Sequence, residues 1–135
     1  MPQCLFCKII RGEIPTNKVY EDEKTFAFLD INPVNPGHTL VVPKKHAVDI
    51  FEMEEEEWNA VMNSVHKISH ALEKSIGPTG INLAMNNRSG AGQLVFHAHV
   101  HIMPRFPNDG HELWKGKPYR KGEAARVAEK IRTNL

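Results

Sequence analysis

Three of the chain's eight histidines, His97, His99 and His101, alternate with single small or apolar residues. Imidazole titrates near neutral pH, so it can serve as nucleophile, proton donor or metal ligand. In a strand, residues two apart share a face, which sends the three rings one way and Phe96, Ala98, Val100 and Ile102 the other. In a helix, residues two apart point to nearly opposite sides, and the rings would share no site. The Val, Ile and Phe content also favours a strand. Solvated strand faces normally carry Lys, Thr and Glu, so a face given over to imidazole points to chemistry. One metal held by all three would need a bent strand. At about 3.3 Å per residue, His97 and His101 are roughly 13 Å apart at the backbone, and a metal–nitrogen bond is only about 2.1 Å long. The row is expected to divide its labour.

Three further groups could do chemistry. The polar, glycine-containing stretch from Asn86 to Gln93 runs directly into the histidines. Glycine admits the backbone conformations that turn several N–H groups toward one anion, although an ordinary hairpin loop has a similar composition. Cys4 and Cys7 form a Cys-x-x-Cys pair, a pattern open to redox chemistry, metal binding or coincidence. No strand precedes it, which argues against a thioredoxin-like motif. His66 and His70 are four apart, a ligand-like spacing, but no carboxylate signature accompanies them. They read as partly exposed helix residues.

The elements that would hold these groups follow from periodicity and punctuation. A short apolar stretch ends at Ile10 and is broken by Gly12 and Pro15. Val19-Tyr20 reads as a short strand, Thr25 to Leu29 as a second, and His38 to Val42 as its return across a loop carrying Pro33, Pro36 and Gly37. From Glu52 to Ile76 the period changes. Trp58, Val61, Met62, Val65, Ile68, Leu72 and Ile76 recur at three and four, the stripe of an amphipathic helix. Glu54 to Glu57 suit its start, where the helix dipole favours negative charge, and Gly77-Pro78 suits its end. Gly80 to Met85 reads as another strand. The passage from Pro104 to Gly122 reads as irregular, and Ala124, Val127, Ala128 and Ile131 suggest a terminal helix. The excess of Lys and Arg after Lys115 reads as a solvated basic tail.

Composition narrows the function classes. The chain has 135 residues, 41% hydrophobic and 24% charged, which suits one globular domain over residues 1–135. A net charge of +1 gives no reason to expect a nucleic acid or an anionic membrane as partner. No apolar run is long enough to span a bilayer, and the first residues lack a signal-peptide pattern. A cytoplasmic location with reduced cysteines is the expectation.

The run from Gly92-Gln93 through His97, His99 and His101 to Met103 resembles the signature of the histidine-triad family, His-x-His-x-His with apolar spacers. Asp30-Ile31, the segment Pro36 to Pro43 and the loop from Asn86 to Gln93 resemble family segments in the same order. The resemblance covers about residues 4–107, with 108–135 as a variable tail. It implies an α+β fold with an antiparallel β-sheet, one long helix and short terminal helices, paired in a homodimer. It implies a hydrolase acting at the α-phosphate of a purine nucleoside phosphoramidate or dinucleoside polyphosphate. His99 would attack phosphorus to form a nucleotidyl-histidine, and His101 would assist at the phosphate and leaving group. Asn86, Gly92 and Gln93 would contact phosphate, Asp30 the ribose hydroxyls, Ile31 the base, and His38 would support the phosphate. Leu94 stands where some members carry a hydroxyl residue. Transfer to an acceptor other than water, or nucleotide binding with little turnover, are the alternatives. Zinc-containing branches of the family pair two cysteines with two histidines. Carried over, that implies one structural Zn2+ held by Cys4, Cys7, His46 and His97.

Overall fold

The computed structural model describes residues 3–135. Five strands form one antiparallel sheet: β1 (Lys18–Glu21), β2 (Thr25–Leu29), β3 (Thr39–Pro43), β4 (Gly80–Ala84) and β5 (Val100–Arg105), in spatial order β1-β2-β3-β5-β4. Three helices accompany it: α1 (Leu5–Ile10), the long α2 (Glu55–Ile76) and α3 (Glu123–Arg132). The fold is α+β, an antiparallel sheet with one long helix, as the resemblance implied.

Strand alternation divides the core. Ala27, Val41, Val100 and Ile102 face α2 and pack on its stripe of Val61, Val65, Ile68 and Leu72. Each such valine, leucine or isoleucine side chain, fully buried, contributes about 1.5–3 kcal/mol. Phe26, Phe28, Leu40 and Val42 face the other way and pack with Phe6 and Ile9 of α1. In register, Val100 lies opposite Val41 and His101 opposite Leu40. His101 therefore stands on the α1 side of the sheet, away from α2.

Local chemistry sets the boundaries. Three glutamates occupy the first turn of α2, and Gly77 closes it in the left-handed conformation with φ 68°. Gly37 (φ +95°) lies where an added Cβ would fall 2.5 Å from Ile76 Cδ1, so the β2–β3 loop and the end of α2 close together around it.

The histidine strand is shorter than its pattern suggests. Pairing begins at Val100, so of the three histidines only His101 belongs to the ladder. Before it, the Ala98 N–H donates to the Ala47 carbonyl at 2.7 Å, in the loop after β3. Ala98 is buried, as the alternation requires, but Phe96 is half exposed instead of joining the apolar face. The backbone before Val100 leaves the sheet, with the His97 carbonyl accepting from His99 Nδ1 and the Ala98 N–H donating to Ala47.

Candidate active site and metal centre

His97 is fully buried. Its Nε2 lies 2.8 Å from the Pro43 carbonyl oxygen. A carbonyl only accepts, so the proton sits on Nε2 and the Nδ1 lone pair points at the two sulfurs. Nδ1 is 3.3 Å from Cys4 Sγ, 3.5 Å from Cys7 Sγ and 3.2 Å from His46 Nδ1. His46 Nδ1 is in turn 3.5 Å from Cys7 Sγ. Around a tetrahedral zinc with bonds of about 2.1 Å to nitrogen and 2.3 Å to sulfur, neighbouring ligand atoms stand about 3.4–3.7 Å apart. These four separations are close to that spacing, all four donors lie within 4.8 Å of one another, and Pro43 fixes the tautomer that a metal needs. Burial and the adjacent Cys4 sulfur push the Cys7 thiol up, and burial pulls the His97 ring down to about 4. A bound cation would reverse that balance for the thiols, because it favours their ionised form.

His99, 7% exposed, lies at the floor of a cleft of about 470 Å³. Its Nδ1 donates to the His97 carbonyl at 2.7 Å. The proton is therefore on Nδ1, which leaves Nε2 as the ring nitrogen with a lone pair. Burial lowers its pKa, so the ring is neutral at pH 7. The Phe6 ring meets it edge-on at 5.1 Å between centroids and touches His97 the same way at 5.9 Å.

A second chain of tautomers runs through His38. The Val34 N–H donates to His38 Nδ1 at 3.0 Å, which requires the proton of the neutral ring on Nε2. That Nε2–H donates to His101 Nδ1 at 2.9 Å. His101 must then carry its own proton on Nε2, the nitrogen remaining for the cleft. Burial first, then the His99 and His38 rings, hold His101 down to about 4. Asp30 reaches within 3.6 Å of His38 Nε2.

The expected nucleotide-contacting residues separate into two groups. Asp30, Ile31, Asn86, Gly92 and Leu94 line the cleft with His99 and His101. Ile31 and Leu94 are its most exposed apolar residues, at 86% and 87%. His38 lies behind His101 and is buried, and Gln93 is buried as well. The Gln93 amide is fully engaged: its oxygen accepts from the Arg88 N–H at 2.7 Å, and its nitrogen donates to the carbonyls of Val48 at 2.6 Å and Val95 at 3.1 Å. It ties the loop before the histidines to the loop that carries His46. The backbone of that first loop makes a single 3-10 turn at Ser89–Ala91, and Gly92 follows it with φ 89°.

Sequence reasoning missed the apolar wall of the cleft, formed by Leu5, Phe6 and Ile9 of α1 with Ile14, Phe28 and Leu40. The signal available was the run of apolar residues around the cysteine pair. If the pair anchors a metal, those residues are fixed beside it.

The family model of the HIT domain matches residues 11–108. The chain belongs to the HIT family. Protein hit of Bacillus subtilis is 48% identical over 114 residues, which cover 83% of this chain and 79% of that protein. Adenosine 5'-monophosphoramidase hnt1 of Schizosaccharomyces pombe is 38% identical, with 98% of each chain covered. Adenylylsulfatase HINT3 of Arabidopsis thaliana is 39% identical, covering 98% of this HIT chain and 69% of the plant protein. Among solved structures, a HIT protein from B. subtilis superposes with a TM-score of 0.92 at 41% identity, covering 98% of this chain and 97% of that one. A Zn-bound histidine triad protein from Mycobacterium smegmatis gives 0.77 at 32% identity, with 99% of each covered. No helix among the described residues is long and apolar enough to cross a membrane.

Proposed function

We propose that this HIT protein hydrolyses adenylylated small molecules, phosphoramidates or dinucleoside polyphosphates, at the α-phosphate of a purine nucleotide. The observation that carries the reading is the orientation of His99, neutral, with Nδ1–H spent on the His97 carbonyl and the Nε2 lone pair left for the cleft. That is the form a nucleophilic imidazole needs. Relatives named as an adenylylsulfatase and an adenosine 5'-monophosphoramidase support the substrate class.

In this reading the base lies against Ile31 and the apolar wall, Asp30 accepts from the ribose hydroxyls, and the loop through Asn86 and Gly92 receives the phosphate. Nε2 of His99 attacks phosphorus while the bond to the leaving group breaks, and the positive charge left on the ring is met at Nδ1 by the His97 carbonyl. His101 donates its Nε2–H to the phosphate and the leaving atom, while the His38 Nε2–H holds its Nδ1. The leaving atom takes a proton from water, and the hydroxide so formed attacks the nucleotidyl-histidine. The products are a nucleoside monophosphate and the free imidazole. Gln93 acts on the loop rather than on the ligand. Leu94 supplies no hydroxyl at the mouth of the cleft, so leaving-group assistance falls to His101.

The same reading places one structural Zn2+ on Cys4, Cys7, His46 and His97, where it would hold the four donors together and keep both thiols ionised. It also pairs two copies of the chain. β4 is an open edge with Leu83 half exposed, beside a hollow of about 340 Å³ lined by Met62, Val65, His66, Ser69, Ile81 and Leu83.

Turnover measured on a panel of adenosine phosphoramidates, adenylyl sulfate and diadenosine polyphosphates tests the function. Release of AMP by the wild type and its loss in His99→Ala are expected. Full activity in His99→Ala, or tight nucleotide binding with no turnover on any substrate, would overturn it.

A further inference from the structure

The loop between β2 and β3 begins with Asp30 and Ile31 and ends with His38, so one piece of chain carries both sides of the cleft's chemistry. It is held from outside by the segment that follows β5. The Asn35 amide nitrogen donates to the Asp109 carboxylate at 3.0 Å and to the Pro104 carbonyl at 2.9 Å. His111 Nε2 donates to the Val34 carbonyl at 3.0 Å. Asp109 is the hub of that segment, with its side chain only 6% exposed. It accepts from two Arg105 nitrogens at 2.7 and 3.0 Å, and from the N–H groups of Phe106 and His111 at 3.2 and 3.1 Å. The Arg105 guanidinium beside it holds its carboxyl well below the usual carboxylate range, which keeps it an acceptor. Arg105 also donates to Asn82 of β4 at 2.8 Å and so ties the hub to the sheet.

The two loop residues that meet this segment, Val34 and Asn35, are also the two that hold His38. The Asn35 carbonyl accepts from the His38 N–H at 3.1 Å. The Val34 N–H donates to His38 Nδ1 at 3.0 Å, which leaves the His38 proton on Nε2, facing His101. Burial keeps the His38 ring neutral. A neutral imidazole freed from that N–H would populate both tautomers. The wrong one would offer His101 a lone pair where it now receives a donor. We propose that Asp109 is a positioning residue for the cleft, which holds Asn35, and with it the Val34 N–H, so that His38 keeps the tautomer that orients His101. Asp109 touches none of the reacting groups. The inference deepens the function proposed for the cleft and rests on that reading for its kinetic consequence alone.

The test records the imidazole nitrogens of 15N-labelled, zinc-loaded protein by NMR without ligand, in the wild type, Asp109→Asn and Asn35→Ala. The wild type is expected to show His38 with Nδ1 unprotonated and Nε2 protonated. Both variants should move the two His38 nitrogens toward the average of the tautomers. Both should also lower kcat roughly 10-fold or more, the scale of a small misplacement relayed from outside the site, with a smaller change in KM. Asn35→Ala cuts the link while leaving the Arg105–Asp109 pair in place, so it decides the matter even if Asp109→Asn does not fold. A lower Tm with His38 nitrogens and kcat as in the wild type would make the segment a structural support only and overturn the proposal. A wild type without turnover would instead contradict the function proposed for the cleft, and the NMR comparison would still decide this inference.

Discussion

The Nδ1 of His99 donates to the backbone carbonyl of His97 at 2.7 Å, one residue pair away from the cysteine cluster that His97 completes. One bond thus joins the two sites. A change that moves His97 moves the acceptor that holds the His99 tautomer. The Phe6 ring adds a second link, since it packs edge-on against both imidazoles from a helix whose N-cap is Cys4.

Metal removal is the first consequence. Purified protein should contain about one zinc per chain. Cys4→Ser should lower both the zinc content and Tm, the latter by roughly 5–15 °C if zinc contributes a few kcal/mol at cellular concentrations. Because His97 carries the His99 acceptor, kcat should fall with the metal content. Elemental analysis and calorimetry check this. A metal-free native protein, unchanged in stability by the substitution, would contradict it.

Protonation of His101 gives a second. In the ligand-free protein its pKa is held down to about 4 by burial and by the His99 and His38 rings, so it is neutral from pH 5 upward. The His38 Nε2–H occupies its Nδ1, so nucleotide binding at pH 6–7 should leave the His101 proton count unchanged. Equal calorimetric binding enthalpies in two buffers of different ionisation enthalpy check this, and a buffer-dependent enthalpy would contradict it. His38→Phe removes the donor that sets the His101 tautomer. It should reduce kcat roughly 10–100-fold, the range for groups that orient a functional imidazole, and change KM less.

Gln93 gives a third. Its amide meets Arg88, Val48 and Val95 in a buried position. Gln93→Ala leaves those backbone groups without their partner and should cost about 1–3 kcal/mol. Urea unfolding should show a lower midpoint with an unchanged m-value. A direct phosphate contact would instead raise KM and leave stability unchanged.

Much of this was legible in the residues. The stripe from Trp58 to Ile76 gave α2, and Gly77 gave its end. The turn chemistry of Pro33, Pro36 and Gly37 gave the β2–β3 hairpin. Strand rise and bond length alone argued that one metal could not use all three histidines of the triad, and the resemblance supplied the role proposed for each. The strand itself was read too long at its start. Alternation describes which way side chains point, and Ala98 and His99 still obey it, but it says nothing of whether the backbone is paired. Here the Ala98 N–H is taken by Ala47 and the His97 carbonyl by His99. The insertion of β5 between β3 and β4 is a long-range pairing with no local signal. Nor did the type of Gln93 show that its amide would turn inward, or the spacing of His66 and His70 that their Nε2 atoms would meet.

Rapid quenching of the protein with an adenosine phosphoramidate, followed by intact-mass analysis, looks for the covalent intermediate itself. An acid-labile nucleotidyl adduct that maps to His99, forms within the first turnover and is absent from His99→Ala is expected. Complete first-turnover release of AMP with no protein-bound nucleotide at any quench time would contradict it.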